Sequence, residues 1–512
     1  MPNPFTLSTY DGMHATVMGL GRFAGGVAAA RFLTQHGAVV TVTDLRSAQD
    51  LAGSIEMLSD LPIARFALDG HPDDVLSDCQ LLVVNPAVRP DHPLVALAES
   101  RQIDVTTEIE LFLRHCPAFV IAVTGSNGKS TTTALIHHLL LHANPDFEGD
   151  VWLGGNIGIS LLEQVHRIQP QDIVVLELSS FQLHHLGKKR FRPNIAVLTN
   201  YSPNHLDWHG SEADYRKAKQ AIFDAQTSDD AAIIPDDTNP GSHPNHIPWR
   251  VRGGRLRFGL TDHGDEGAFL EGGMLILRSH VYEDAIRFTV PPQLPGQHNQ
   301  LNVAAAACAA WLAGANSVQF SAALQTFRAL PHRLQLVAEH AGRQFWNDSI
   351  ATTPESATMA LHVFPGRIIL LAGGYDKGQD LSAFAFEIKS RVAAAVLMGQ
   401  TAHKLHELLM RESVDMPSDE RESEAAGRLQ TPGKHGSTGA SPSQQPTTQI
   451  ASELQIRIAS DFREAFRSAV AFSQPGDIVL LSPGCASYGW FQDFRERGDL
   501  FSALARDWSP DT

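Results

Sequence analysis

The chain has 512 residues, a formal net charge of −16 and 43% hydrophobic residues. A length of this order predicts two to four domains, at roughly 100–200 residues each. The acidic balance argues against a nucleic-acid partner, because a phosphate backbone attracts basic surfaces. A phosphorylated small molecule is still compatible with this charge, because a local site can override the net sign.

The cysteines are widely separated and form no CxxC pair, which argues against a disulfide framework or a structural zinc site. No apolar signal core lies in residues 1–14, and no apolar run reaches about 18 residues. We therefore expect a cytoplasmic protein that has no membrane partner. A monomer is also expected. The four cysteines are Cys79, Cys116, Cys308 and Cys485.

Apolar β-branched runs alternate with Ala- and Leu-rich stretches along most of the chain, a pattern typical of parallel sheets covered by helices. The sequence therefore predicts an α/β fold. The predicted strands lie at 16–18, 39–42, 81–85, 119–124, 173–178, 195–198, 368–372, 394–398 and 478–481. The predicted helices lie near 27–34, from Lys129 onward, and at 302–315, 355–363 and 462–472.

Two segments depart from this alternation. Residues 255–290 contain short alternating runs with Gly turns, which predict a small antiparallel patch. Residues 412–453 are rich in Ser, Glu, Pro, Gln, Gly and Thr and are predicted to form a disordered insertion. The predicted domains are 1–107, 108–329 and 330–512, with the insertion in the third.

A Gly-rich turn at 124–130, Thr-Gly-Ser-Asn-Gly-Lys-Ser, joins a predicted buried strand to a predicted helix. Such a turn directs backbone N–H groups and the positive end of a helix at phosphate oxygens. Lys129 would reach the terminal phosphates, and Ser130 would bind Mg²⁺. The general P-loop pattern has a Gly where this chain has Val123, so the turn is a variant of it.

A second Gly turn, with Gly19, Gly21 and Gly25, follows the first predicted strand. It is similar to a dinucleotide fingerprint, but its third Gly is one position late. Taken alone, this turn would suggest NAD as readily as another nucleotide. Asp44 ends the next predicted strand, at the position where a ribose or uracil contact would lie.

The turn at 124–130 resembles the signature of the Mur ligases and their folylpolyglutamate synthase relatives. The resemblance covers nearly the whole chain, and the segments at 176–182 and 481–487 favour the glutamate-adding branch. The insertion is the main segment without a counterpart. The other matching segments are 154–158, 204–207, 215–219, 296–299, 330–333 and 347–349.

The resemblance implies an N-terminal Rossmann-like domain, a central P-loop-type ATPase domain and a C-terminal Rossmann-like domain. It implies an ATP-dependent ligase that adds glutamate, expected as the D enantiomer, to UDP-N-acetylmuramoyl-L-alanine through an acyl phosphate, during peptidoglycan precursor synthesis. Phosphoryl transfer of this kind needs cations at the γ-phosphate and hard oxygen ligands for Mg²⁺.

Each predicted role rests on the matching motif. The catalytic residues implied are Lys129, Glu177, His205 and Lys219, and two Mg²⁺ sites are expected on Ser130, Glu177, His205 and a carbamylated Lys219. The ATP-binding residues implied are Gly125, Ser126, Asn127, Gly128, Lys129, Ser130, Thr131, Asn299, Asn302, Arg333 and Asp348. The UDP-substrate residues implied are Gly21, Arg22, Phe23, Asp44, Arg46, Asn156, Ser179 and His205. The glutamate-binding residues implied are Thr352, Lys377, Ser487, Tyr488 and Phe494.

One position departs from the glutamate-adding pattern. Ile350 stands where that branch usually has a lysine, so a cation near the amino acid and the phosphate is lost. Either Lys377 is sufficient, or the amino-acid preference differs, with L-glutamate as one alternative.

Three other functions are compatible with parts of the sequence. A sister ligase, either another Mur enzyme or a folylpolyglutamate synthase, would share the Gly-rich turn at 124–130, hereafter called the phosphate loop. A dehydrogenase would explain the N-terminal Gly turn but not Lys129, Glu177 and His205. A non-catalytic sensor of UDP precursors is suggested only by Ile350, because the other phosphate and metal residues are present.

Overall fold

The computed structural model describes residues 10–21, 25–158, 160–236, 248–280, 283–287, 291, 294–411 and 454–510. Arg22, Phe23 and the predicted insertion 412–453 lie outside the described residues. The described part forms two compact units, one from residues up to 291 together with 297–327, and the other mainly from 328 onward.

The first sheet is five-stranded, entirely parallel and ordered β3-β2-β1-β4-β5. The strand order reverses between β1 and β4, and such reversals create a ligand crevice at the carboxyl ends of the strands. The strands are β1 (His14–Met18), β2 (Val39–Thr43), β3 (Arg65–Ala67), β4 (Leu81–Val84) and β5 (Asp104–Thr106). The helices are α1 (Gly25–Gln35), α2 (Ala52–Glu56), α3 (Pro93–Ser100) and α4 (Glu108–His115).

The second sheet has nine strands in the order β14-β13-β12-β11-β10-β9-β6-β8-β7. Its strands are β6 (Phe119–Thr124), β7 (Val151–Gly155), β8 (Ile173–Glu177), β9 (Ile195–Leu198), β10 (Ala231–Pro235), β11 (Gly254–Gly259), β12 (Gly267–Glu271), β13 (Met274–Arg278) and β14 (Glu283–Arg287). Its helices are α5 (Lys129–His142), α6 (Ser180–Lys188), α7 (Leu206–His209), α8 (Glu212–Asp224), α9 (Gln297–Leu312) and α10 (Phe320–Thr326).

The third sheet, in the second unit, has six strands in the order β15-β16-β20-β17-β18-β19. Its strands are β15 (Gln335–His340), β16 (Arg343–Asn347), β17 (Ile368–Gly373), β18 (Val392–Met398), β19 (Gln455–Ile458) and β20 (Ile478–Leu481). Its helices are α11 (Pro354–Leu361), α12 (Ser382–Arg391), α13 (Ala402–Met410), α14 (Phe462–Phe472) and α15 (Phe494–Asp507).

The α/β prediction with three successive sheets is confirmed, but the predicted antiparallel patch is smaller than expected. β11 runs parallel to both of its neighbours, and only β12, β13 and β14 pair antiparallel. A second antiparallel pair, β15 with β16, was not predicted. Alternating polarity predicts which residues face the core, but it carries no information about the direction of a neighbouring strand.

Hydrophobic packing joins the first two sheets. One continuous core cluster contains Val17 of β1, Phe32 of α1, Leu111 of α4 and Leu176 of β8. Their shared core explains why these two sheets form a single compact unit. Among the helices of the described residues, none is long and apolar enough to cross a membrane.

An ion-pair network lies beside this core. Arg114 of α4 binds Glu110 at 2.7 Å and Asp104 at 2.9 Å, and Lys189 binds Asp104 at 2.7 Å. The Glu110 side chain is 7% exposed and the Arg114 side chain 9%. A nearly buried carboxylate of this kind depends on its cation, because water cannot solvate it.

We expect Arg114→Ala to lower the free energy of unfolding by about 3 kcal/mol, because buried Glu110 would lose its closest cation and keep only the Thr106 hydroxyl and Lys189 at 4.0 Å. Adding Glu110→Gln should recover part of that loss. The matched control is Arg65→Ala, which breaks the exposed pair with Asp74 and should cost less than about 1 kcal/mol. Urea unfolding of the four proteins provides the measurement, and equal losses for Arg114→Ala and Arg65→Ala would contradict the prediction.

Candidate active site

The N-terminal Gly turn is held by Asp44, which is 6% exposed. One carboxylate oxygen accepts a hydrogen bond from the Gly21 N–H at 3.0 Å, and the other accepts one from the Arg46 N–H at 3.0 Å. Ser54 donates to the Gly21 carbonyl at 2.7 Å. Asp44 therefore organises the turn at the carboxyl end of β1. A direct contact of Asp44 with a UDP group stays a prediction.

The phosphate loop lies where three neighbouring parallel strands end, because β6 pairs with β8 on one side and β9 on the other. The loop follows β6, Glu177 is the last residue of β8, and residues 199–205 follow β9. The carboxyl ends of parallel strands meet at one edge of a sheet, so these segments converge.

Close packing restricts two loop positions to glycine. Gly125 has a φ of +153°, and a Cβ there would lie 1.9 Å from the Thr199 hydroxyl. Gly128 has a φ of +76°, and its Cβ would lie 2.3 Å from the Asn302 side-chain oxygen. Helix α5 begins at Lys129 directly after Gly128. Glycine supplies no capping side chain, and a helix N-terminus of this kind attracts anions.

Side chains of the loop tie it to the segment after β9. The Ser126 hydroxyl donates to the Ser202 carbonyl at 2.7 Å and contacts the Tyr215 hydroxyl at 2.9 Å. The Asn127 N–H donates to the Asn200 side chain at 2.9 Å. Tyr215 and Asn200 were given no role by the sequence analysis. Their hydrogen bonds hold the shape of the loop.

The predicted catalytic lysines meet at one carbonyl. The Lys129 amine donates to the Gly125 carbonyl at 3.1 Å and to the Ser126 carbonyl at 3.0 Å, and the Lys219 amine donates to the Gly125 carbonyl at 2.7 Å. Lys219 is 1% exposed, and its amine lies 4.8 Å from the centre of the Tyr215 ring. Burial and the charge of Lys129 hold the pKa of Lys219 well below its ordinary value, against the opposing effect of Glu177.

Glu177 is 2% exposed and directed into the same region. One oxygen accepts a hydrogen bond from the Asn156 amide at 2.9 Å. The other oxygen, Oε2, is buried and has no hydrogen-bond partner among the described residues. A buried carboxylate oxygen without a partner is costly, which fits a place where a cation binds.

His205 lies at the start of α7 and is exposed, with a φ of +55°. Its ring contacts Phe181, with ring centroids 5.0 Å apart. Ser179 caps α6 by accepting a hydrogen bond from the Gln182 N–H at 3.2 Å. Burial, then the charges of His184, His205 and Lys219, lower the pKa of His209 to about 4. The charges of His205 and Lys219 thus both act on His209.

Helix α9 packs against the phosphate loop and α5 through two asparagines. Asn302 accepts a hydrogen bond from the Thr132 hydroxyl at 3.2 Å and donates to Asn299 at 3.2 Å, and both Asn residues are buried. The predicted adenine or ribose contact of these two residues is untested. Asn302 links α9 to Thr132 of α5 and lies beside Gly128 of the loop.

In the second unit, Asp348 follows β16 and is 5% exposed. It accepts hydrogen bonds from the Ser482 hydroxyl at 2.8 Å and the Leu334 N–H at 3.1 Å. Burial raises the pKa of Asp348 to about 7, although Ser482, Leu334, Arg333 and Arg497 act in the opposite direction. These four groups favour the ionised form of Asp348. A metal ion or a ligand that adds positive charge would favour the ionised form further.

Four of the predicted glutamate residues lie on loops after three adjacent strands, β16, β20 and β17, and the fifth, Phe494, is the first residue of α15. Tyr375 pairs with Ala486 across two of these loops. The Lys377 amine lies 5.6 Å from the centre of the exposed Tyr488 ring, whereas Ser487 is buried. Thr352 and Phe494 are both half-buried. The structure thus brings Lys377 and Tyr488 together.

A metal site in the first unit would need mixed ligands. Among the described residues, no group of three or more His, Cys, Asp and Glu side chains forms a cluster able to hold a metal ion. Hydroxyl, carboxylate and carbamate oxygens are nevertheless ligands that Mg²⁺ accepts. The open oxygen of Glu177 is the observation that fits such an ion.

Comparison with protein families assigns the chain. Models of the Mur ligase MurD-like N-terminal domain, the Mur ligase middle domain and the Mur ligase glutamate ligase domain match residues 13–107, 123–310 and 332–485. The chain belongs to the Mur ligase family.

Curated relatives match over nearly the whole length. A UDP-N-acetylmuramoylalanine--D-glutamate ligase from Roseiflexus sp. is 36% identical over 97% of this chain and 99% of its own length. Proteins of the same name from Acetivibrio thermocellus and Latilactobacillus sakei are 35% and 34% identical, over 92% and 97% of this chain and 92% and 98% of theirs.

Solved Mur ligases share the fold. The UDP-N-acetylmuramate-alanine ligase MurC from Thermotoga maritima aligns with a TM-score of 0.55 at 18% identity, over 96% of this chain and 99% of that one. The MurF ligase from Thermotoga maritima, solved in complex with ADP, gives 0.51 at 16% identity, over 98% and 97%. At these identities the likeness shows the fold alone.

Gly128→Ala should weaken nucleotide binding by about tenfold or more, because a Cβ at a φ of +76° meets the Asn302 side chain and such strain costs about 1–3 kcal/mol. ADP titration of the purified protein provides the measurement. Gly273→Ala is the matched control, since Gly273 has a φ of +77° and no atom within 4 Å of a new Cβ. Unchanged ADP affinity in Gly128→Ala would show that the close approach does not shape the phosphate site.

Proposed function

We propose that this chain is an ATP-dependent, ADP-forming ligase that adds D-glutamate to UDP-N-acetylmuramoyl-L-alanine. The observation that carries the proposal is the convergence of Lys129, Lys219 and the open oxygen of Glu177 at the phosphate loop. The substrates are taken from the relatives of the same length, which are named for this reaction. Peptidoglycan precursor synthesis is the corresponding process.

The reaction has two chemical steps. The alanine carboxylate of the UDP substrate attacks the γ-phosphorus of ATP, so that ADP leaves and an acyl phosphate forms. The glutamate amine then attacks the acyl carbon, phosphate leaves, and the amine loses a proton as the amide bond forms. The loop N–H groups and Lys129 stabilise the charge on the phosphoryl oxygens, which is the main requirement of such a transfer.

The residues present fit Mg²⁺. Ser130 and Glu177 would hold one ion, and His205 with carbamylated Lys219 would hold a second. When bound, the metal neutralises phosphate oxygens during transfer. Glu177 is supported in this role by its buried Oε2, which has no hydrogen-bond partner within the described part of the chain. His205 is exposed, and its role rests on its Asn-His-x-Asp motif.

Carbamylation of Lys219 is proposed on the basis of its surroundings. The neutral amine attacks CO₂, forming a carbamate and releasing one proton. Burial and the neighbouring Lys129 lower the pKa of Lys219, which increases the fraction of neutral amine at a given pH. The product carries a negative charge in place of a positive one, and that anion would relieve the repulsion from Lys129.

The remaining assignments are proposals of the same kind. They are the UDP group near Gly21 and Asp44, ATP phosphates near Arg333 and Asp348, and glutamate between Lys377 and Ser487. Domain boundaries at 107 and 329, a monomer, small-molecule substrates and a cytoplasmic location are also retained as predictions.

L-Glutamate is a second candidate amino acid, favoured by Ile350. The Ile350 N–H donates to the His332 carbonyl at 3.1 Å, and the residue is half-buried. Its side chain supplies no charge at a position next to Asp348. The loss of a cation there weakens recognition of a carboxylate by that position.

A ligation assay with UDP-N-acetylmuramoyl-L-alanine, ATP and either D- or L-glutamate tests the function. We expect amino-acid-dependent phosphate release with D-glutamate, and none in Lys129→Ala, which loses the phosphate-binding amine. Mass spectrometry of the product confirms the new amide bond. Phosphate release with only L-glutamate would select the second candidate, and release with only alanine or diaminopimelate would assign the chain to a sister ligase.

Lys219→Ala should be inactive but partly restored by acetate, which replaces the carboxylate of a carbamate. Lys217→Ala is the matched control, because Lys217 is exposed on the same helix; it should keep its activity and show no response to acetate. Activity is measured as glutamate-dependent phosphate release over a range of acetate concentrations. Absence of rescue at every concentration, with the variant still folded, would contradict carbamylation.

A further inference from the structure

Arg497 is the largest fully buried side chain of the described residues, with 1% of its surface exposed. It lies in the first half of α15. The Nε atom donates to the Ser349 hydroxyl at 3.0 Å, one terminal nitrogen donates to the Ser349 carbonyl at 2.7 Å, and the other donates to the Cys485 carbonyl at 3.1 Å. A single planar guanidinium therefore holds two separate loops.

These loops carry the predicted amino-acid contacts. Ser349 lies three residues before Thr352, and Cys485 lies two residues before Ser487. The Ser349 hydroxyl also donates to the Phe494 carbonyl at 2.7 Å. Thr352, Ser487 and Phe494 are thus all anchored within a few residues of the guanidinium. Tyr488 follows Ser487 directly and shares its loop.

Helix α15 also packs against His332, which precedes β15, so closely that glycine is required after Arg497. A Cβ on Gly498 would lie 2.2 Å from the Nδ1 atom of His332. The Gly498 carbonyl accepts a hydrogen bond from the Asn347 amide at 2.8 Å. The start of α15 is therefore fixed to the segment after β16 at several points, with Arg497 at the centre.

The partners of Arg497 are neutral, which makes its burial costly. Burial lowers the pKa of Arg497 to about 10, with Cys485 and Asp348 acting in the opposite direction. Hydrophobic residues fill buried space at lower cost than a charge without a carboxylate partner. A lysine could not make the same set of bonds, because its amine is a single point and lacks the planar fork.

We propose that Arg497 is a positioning residue for the amino-acid site, where it fixes the loop after β16 to the loop after β20. It does not itself contact substrate. This inference rests on the proposed function, because it takes the amino-acid substrate to bind between these loops. Substitution of Arg497 should therefore change the KM for the amino acid and not the KM of the substrates that are expected to bind at the first unit.

Steady-state kinetics of Arg497→Lys test the proposal. We expect the KM for glutamate to rise by about tenfold or more, as for the loss of hydrogen bonds from a charged donor, while the KM for the UDP substrate changes less than about twofold. A purely structural role would instead lower kcat through a smaller active fraction and leave every KM unchanged. Arg506→Lys is the matched control, because Arg506 is exposed on the same helix and should match the wild type.

Chemical rescue covers the case in which folding is impaired. Arg497→Ala should regain part of its glutamate affinity in about 10–50 mM guanidinium chloride, well below the molar range that unfolds proteins, and not in equal sodium chloride. The proposal would be overturned if Arg497→Lys had the same KM for glutamate as the wild type. If the wild type itself makes no product with either glutamate enantiomer, the proposed function fails instead, and the two failures are thus distinguished.

Discussion

The carbonyl oxygen of Gly125 accepts hydrogen bonds from both Lys129 and Lys219, and the first unit is arranged around this shared contact. Two ammonium groups at one acceptor repel each other strongly where water is scarce. The repulsion is relieved when one amine is neutral, when Glu177 compensates it, or when an anion binds. The arrangement is therefore adapted to receiving negative charge. Burial, and after it the charge of Lys129, lowers the pKa of Lys219.

Such a cluster holds its geometry only if the loop cannot relax, and the surrounding packing provides that restraint. Thr199 leaves no space for a side chain at Gly125, and Asn302 leaves none at Gly128. Tyr215 fixes Ser126 from α8, the helix that also carries Lys219. The loop is thus held from three directions, by the segment after β9, by α8 and by α9. Preorganisation of this kind reduces the reorganisation needed when a phosphate binds.

The sequence allowed the loop and Glu177 to be predicted because both follow apolar runs, and parallel strands end at a common edge. Lys219 was identified only through the family motif, since a lysine among Arg216 and Lys217 looks like a solvated helix face.

Arg497 was missed for a related reason. It shares α15 with Arg495 and Arg506, both exposed, and nothing in its immediate sequence distinguishes the buried arginine. The roles of Asn299 and Asn302 depend on how α9 packs against α5, which is a long-range property. Strand direction, as at β11, likewise depends on partners distant in sequence.

The two units use a similar physical device at their candidate sites. In the first, the amine of a buried lysine on a helix holds the carbonyl of a loop that follows a central strand. In the second, the guanidinium of a buried arginine holds carbonyls of two such loops. A buried cation is costly, but its hydrogen bonds to backbone carbonyls are strong in surroundings of low polarity. The choice between lysine and arginine then follows from the chemistry available to each. A lysine can lose its proton and react, whereas an arginine keeps its charge and its geometry. Reactivity is useful beside the phosphate loop, and a fixed geometry is useful where, in our proposal, an amino acid is oriented for attack.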